Sequence, residues 1–174
     1  MTETVVLIDE QDVAVGEGEK LEIHRQGALH RAFSVFAFNA GGELLLQRRA
    51  LSKYHSGGLW TNTCCGHPRP GEAVEDAARR RLFEELGMAC GELTPAGVYR
   101  YRAELEDLVE NELDHLLVTR VEDEPAPNPD EVVEWRFIAP AALAAWLGAR
   151  PEDFTAWFPP AWRIVRPADY PTGS

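Results

Sequence analysis

The sequence predicts a single α/β domain over residues 1–174, an α/β sandwich in which helices pack on a mixed sheet. Three observations predict it. A chain of 174 residues with 45% hydrophobic content is long enough to bury one core and too short for two ordinary domains. Strand-like apolar runs stand on both sides of one charged helical stretch. No internal repeat or low-complexity tract interrupts them.

In chain order, Val5 to Ile8 reads as a short strand and Gly16 to Gly18 as a turn or loop. The apolar run Ala32 to Phe38 leads through Asn39-Ala40-Gly41-Gly42 into Glu43 to Gln47, which is a hairpin pattern. Glu72 to Leu86 reads as a helix closed by Gly87, with Glu75 and Arg79, and Asp76 and Arg80, at helix-pairing distance. Strand-like runs return at Gly97 to Arg102 and Leu113 to Val121. An acidic, proline-containing loop from Glu122 to Asp130 then precedes a strand at Val133 to Ile138. Pro140 opens an alanine-rich helix through Leu147, and the segment Glu152 to Arg166 carries Trp157 and Trp162 around a Pro159-Pro160 break.

Composition narrows the function. A net charge of −12 opposes nucleic-acid binding, which needs basic surface to displace counterions from phosphates. No apolar run approaches the roughly 20 residues of a membrane helix, and no basic segment followed by an apolar stretch opens the chain. A cytoplasmic protein is expected, without a membrane or nucleic-acid partner, as a monomer or weak homodimer. The three cysteines, Cys64, Cys65 and Cys90, cannot build a disulfide framework, so reduced thiols are expected. An anionic substrate would need a local basic cluster, and only two lysines, Lys20 and Lys53, are present to join the arginines.

The most specific local pattern begins at Gly66 and continues through Glu72, Arg80, Leu82, Glu84, Glu85, Gly87 and Met88. It resembles the Nudix box, a loop, helix and loop that present carboxylates to a metal-bound diphosphate. The resemblance implies a Nudix-type α/β/α sandwich. One position departs: Arg81 stands where the family has a glutamate directly after the arginine. A cation there weakens hydrolytic metal binding and suits a phosphate grip.

Thr61-Asn62-Thr63-Cys64-Cys65-Gly66-His67-Pro68 resembles the cysteine motif of type I isopentenyl diphosphate isomerases. Arg48 to Lys53, Lys20 with His24 and His30, Tyr99 to Arg102, Glu110-Asn111-Glu112 and Phe154 to Phe158 are similar to further segments of that family in the same order. The family interconverts isopentenyl and dimethylallyl diphosphate, passing through a tertiary carbocation. The resemblance implies a divalent-metal site of His24, His30, His67, Glu110 and Glu112 holding Mn2+, Mg2+ or Zn2+. Imidazole and carboxylate donors suit those ions. It also implies Mg2+ at Glu85 with the diphosphate, and Lys20, Arg49, Lys53 and Arg81 as substrate-binding cations. Cys65, directly before the Gly-His pair, and Glu112 would exchange the protons; Tyr101 would hydrogen-bond within that apparatus, and Trp157 would face the cation, worth about 0.5–2 kcal/mol. Glu110 and Glu112 stand at the spacing that points two strand side chains to one face. His55 and His115 match no ligand position and are read as ordinary polar residues. The segment Tyr54 to Gly58 departs from the family's turn. A Nudix pyrophosphohydrolase is the rival reading, and it predicts phosphate release and indifference to Cys65.

Overall fold

The computed structural model describes residues 3–53 and 55–166; Met1, Thr2, Tyr54 and residues 167–174, which the single-domain expectation includes, lie outside the described residues. Strands β1 (Thr4–Ile8) and β2 (Ala14–Glu19) form a hairpin that leads into helix α1 (Lys20–Gln26). Strands β3 (His30–Phe38) and β4 (Leu44–Arg49) follow, then the short β5 (Trp60–Thr61) and β6 (Cys64–Gly66). Helix α2 (Val74–Leu86) precedes the long hairpin β7 (Thr94–Leu105) and β8 (Leu108–Arg120), then β9 (Val132–Ile138), α3 (Pro140–Ala149) and α4 (Phe158–Val165).

The strands join one mixed sheet. β3 is its axis, running parallel to β8 and antiparallel to β1, β4 and β6, while β9 pairs with β4. Alternation along β3 sends its side chains to opposite faces. Phe33, Val35 and Ala37 join Leu45, Leu117 and the α2 residues Ala77, Ala78, Leu82 and Leu86 in one core. Phe36 and Phe38 join Leu44, Leu46, Leu116, Leu143 of α3 and Phe158, Trp162 and Val165 of α4 in the other. A sheet with helices on both faces is the α/β/α sandwich expected.

Four local expectations differ from the structure. Gly16 to Gly18 is strand, not turn: Val5 pairs with Gly18 and Leu7 with Gly16. Gly18 is needed there because a Cβ would lie 2.6 Å from Ile23 Cδ1 of α1. Pro159 and Pro160 do not break a helix; they sit in the first turn of α4, where no intrahelical N–H bond is lost. Both strands of the long hairpin extend further toward the turn than the apolar runs, because Glu104, Leu105 and Leu108 to Asn111 pair across it. Finally, the anticipated pairs of α2 are replaced: Arg80 bonds Glu72 at 2.9 Å, and Arg79 reaches the carbonyls of Cys90 and Gly91 at 3.2 and 3.0 Å. Gly87 caps α2 as expected, at φ +62°, donating its N–H to Phe83 O.

Candidate active site

Of the site residues read from the sequence, all but His24, His30 and Tyr101 line one pocket. Helix α1 carries Lys20 and His24 four residues apart on one face, and His30 opens β3. The parallel register of β3 with β8 sets His30 opposite Glu112, while β6 sets Cys65 opposite Ser34 and Gly66 opposite Phe33. A Cβ on Gly66 would lie 2.8 Å from Phe33 Cζ and 3.0 Å from Arg81 Cγ, so glycine lets the cysteine strand approach α2.

At one end of the pocket, Glu112 Oε1 receives three imidazoles: His67 Nε2 at 3.0 Å, His30 Nε2 at 3.3 Å and His24 Nε2 at 3.9 Å. One ligand atom from each of these four residues lies within 4.8 Å of the others. His24 and His30 place Nδ1 against the carbonyls of Lys20 and Ala28 at 2.7 and 3.0 Å. A carbonyl can only accept, so Nδ1 of each carries a hydrogen, and in the neutral ring the Nε2 lone pair faces the cluster. Two inward lone pairs, with His67 Nε2 and a carboxylate beside them, fit a divalent cation. Burial alone would raise the Glu112 carboxyl, but hydrogen bonds from the three histidines outweigh it and hold the group well below its usual range. Burial presses His67 down to about 4, against the pull of Glu112. His24 is also buried, yet its bonds to Glu112 and Lys20 O leave it raised.

Glu110 shares the pocket but stands apart from this cluster, paired with His55 Nε2 at 2.7 Å. His55, read from sequence as an ordinary polar residue, therefore lines the site, and its ring meets Trp157 edge-on at 5.7 Å. His115 pairs with Asp12 at 2.8 Å, away from the ligand cluster.

The cationic end is held by acids. Arg81 bonds Glu84 at 2.6 Å and Glu85 at 2.5 Å and approaches Glu131 at 3.4 Å; Lys53 also pairs with Glu131. Buried Glu85 accepts from Gln47 Nε2 at 2.7 Å as well. Lys20 pairs with Glu3 at 3.1 Å, and Arg49 lies 5.2 Å over the Trp157 ring. Gln47, Glu3 and Glu131 were not singled out from sequence, since each acts through a distant partner.

Cys65 is a protonated thiol. Burial, reinforced by the charge of Asp114, pushes it up to about 12, and Sγ donates to Asn62 Oδ1 at 3.2 Å. Cys64 points into the α2 core and is fully buried, so the two adjacent cysteines have separate roles. All three cysteines are free. The expected bonding of Tyr101 differs: it pairs in register with Glu112 and its ring meets Trp157 at 6.4 Å, but its buried hydroxyl has no hydrogen-bond partner among the described residues. Tyr99 makes the polar contact instead, donating to Trp157 O at 3.0 Å. A hydroxyl on β7 is placed by the strand's alternation, which sends neighbours two apart to one face and leaves their partners to tertiary packing.

Comparison with known proteins gives the family and the fold. The NUDIX domain family model matches residues 28–158. The isopentenyl-diphosphate Delta-isomerase of Burkholderia multivorans is 53% identical over 159 residues, covering 91% of this chain and 90% of its own. Isopentenyl-diphosphate Delta-isomerase 1 of Aromatoleum aromaticum is 50% identical over 158 residues, covering 90% and 89%. Among solved structures, a Deinococcus radiodurans protein superposes with TM-score 0.70 at 23% identity, covering 84% of this chain and 90% of that one. A MutT protein from Methanosarcina mazei gives 0.65 at 20%, covering 82% and 96%. At those identities the structural neighbours show the Nudix fold alone, whereas the sequence relatives reach the family level: the chain belongs to the isopentenyl-diphosphate Delta-isomerase family, built on a Nudix domain.

Proposed function

We propose that this chain interconverts isopentenyl and dimethylallyl diphosphate by adding one proton to the alkene and removing another, with a tertiary carbocation between. The observation that carries the reading is a pocket lined by the Cys65 thiol, Trp157, four cationic side chains, and His67 and Glu112 of the His/Glu cluster.

His24, His30, His67 and Glu112 would hold a divalent cation, Mn2+, Mg2+ or Zn2+, with Glu110, on the same face of β8, as the fifth ligand that the family resemblance implies. Bound there, the ion would withdraw charge from the Glu112 carboxyl and make a proton on it a stronger acid. Glu112 Oε1 faces the imidazoles, which leaves Oε2 to exchange the substrate proton. Cys65 Sγ starts protonated and the Glu112 carboxylate starts unprotonated. One donor and one acceptor therefore stand ready, and each turnover leaves their proton total unchanged because one proton enters the substrate as one leaves. Direction decides which group gives.

Lys20, Arg49, Lys53 and Arg81 neutralise the diphosphate, and Glu85 would hold Mg2+ against it. The diphosphate is an anchor that is not cleaved, in keeping with Arg81 replacing a box carboxylate. Trp157 would present a π surface to the cation, and the Tyr101 hydroxyl, buried without a hydrogen-bond partner among the described residues, would hydrogen-bond within the acid–base apparatus. The apolar shell of Trp157 and Phe33 excludes water that would quench a carbocation. The reaction is placed in the cytoplasm, with a monomer or weak homodimer as the working unit.

The test is purified protein with isopentenyl diphosphate and a divalent cation, following the isomer by NMR and free phosphate by colorimetry. Isomer without phosphate supports the reading. Phosphate without isomer would establish a Nudix hydrolase instead.

A further inference from the structure

Asn62 touches none of the groups assigned to metal or diphosphate, yet it is wholly buried between β5 and β6, where a polar side chain must be satisfied to be tolerated. Its amide nitrogen donates to the carbonyls of Val35 at 3.1 Å and Cys64 at 2.9 Å, which uses both N–H groups and fixes which end of the amide is oxygen. Oδ1 then faces three donors: Thr61 Oγ1 at 2.8 Å, Cys65 Sγ at 3.2 Å and Trp157 Nε1 at 3.3 Å. The indole nitrogen can only donate, so the direction of that bond is fixed. Thr155 Oγ1 donates to Thr61 Oγ1 at 2.9 Å and Thr155 N to Trp60 O at 2.9 Å, tying the segment before α4 to β5.

We infer that Asn62 is a positioning residue, whose single carbonyl oxygen sets both the direction of the Cys65 thiol hydrogen and the plane of the Trp157 ring. The inference rests on the isomerase reading and deepens it. With the S–H bond aimed at Asn62, the thiol proton is held away from the pocket, so Cys65 must rotate about its side chain to give that proton to the alkene. The same oxygen holds the indole edge, 95 residues away in sequence, so thiol and π face keep one relative position. Ser34 Oγ, the other polar neighbour of the sulfur, is more distant at 3.5 Å.

Two measurements test it. Infrared spectroscopy of the unaltered protein reads the S–H stretch of Cys65, identified by its loss in Cys65→Ala. A frequency lowered as in a hydrogen-bonded thiol is expected; the free-thiol frequency would overturn the assignment without any reference to turnover. In the second, Asn62→Ala is expected to lower kcat by about 10–100-fold, the cost of a misplaced reacting group. KM should change less than twofold, because the diphosphate cations are untouched. In the Asn62→Ala background, Trp157→Phe should cost less than it does alone, since the bond it removes is already gone. Unchanged kcat, or a KM that rises in step with a falling kcat/KM, would refute positioning. Should Asn62→Ala not fold, the infrared result on the unaltered chain decides. Absence of isomerisation in the unaltered chain would instead defeat the isomerase reading.

Discussion

Removing one ligand from the imidazole–carboxylate cluster should abolish an ion-dependent gain in stability. Glu112 Oε1 is the common partner of His24, His30 and His67, and the four ligand atoms already lie within 4.8 Å before any ion is added. Such a preformed site binds the folded chain and not the unfolded one. A divalent ion at 100 times its dissociation constant then stabilises by about 2.7 kcal/mol. For a chain of this length each kcal/mol raises Tm by about 2–4 °C, so the chelator-treated protein should gain about 5–11 °C on addition of the best of Mn2+, Mg2+ or Zn2+. Thermal unfolding followed by circular dichroism, without diphosphate, measures this. Glu112→Gln keeps the side-chain shape but loses the anionic donor, and it should lose most of the gain; His67→Asn should behave alike. Glu85→Gln should keep it, because Glu85 lies outside the four-residue set. A wild-type Tm indifferent to all three ions, or a Glu112→Gln gain equal to that of the wild type, would refute the metal site.

Three further outcomes are expected. Cys65→Ala should lower isomerase kcat by about 10²–10⁴-fold, the range for a lost proton-transfer group, while Cys64→Ala should lower Tm through its buried core position and leave kcat within a few fold. Equal kcat losses in two folded variants would defeat the division between them. Trp157→Phe should retain more kcat than Trp157→Leu at matched melting temperatures, because only an aromatic face stabilises the cation; equal values would leave Trp157 as pocket wall. Burial lifts Cys65 to about 12, so the thiolate fraction should grow tenfold per pH unit across neutral pH. Site-resolved mass spectrometry of iodoacetamide labelling should show the Cys65 rate rising log-linearly from pH 7 to 9, and a plateau in that range would contradict the buried, protonated thiol.

Sequence legibility followed the range over which a residue acts. The alternation of Phe33 to Phe38 places side chains on both faces and announces a strand covered twice, and Gly87 announces the end of α2. Helix α1 was not foreseen, because seven residues are too few for a helical period and its cap is Glu19 instead of a serine, threonine or aspartate. Strand β2 was hidden by Gly16 and Gly18, which look like a turn, although Gly18 gives clearance to Ile23. In the site, His24, His30, His67 and Glu112 were legible through resemblance, and their convergence follows from the β3–β8 register. His55 and Asn62 were not, since their partners Glu110 and Trp157 lie far along the chain and only the folded sheet brings them near. The Tyr101 hydroxyl, expected to hydrogen-bond within the acid–base apparatus, has no hydrogen-bond partner among the described residues.

The most direct test of proton addition and removal is turnover of isopentenyl diphosphate in deuterated water with a divalent cation present. A protonation mechanism predicts dimethylallyl diphosphate carrying solvent deuterium in its methyl groups, with the diphosphate intact. Isomer formed without deuterium incorporation, or phosphate released with no isomer, would contradict it.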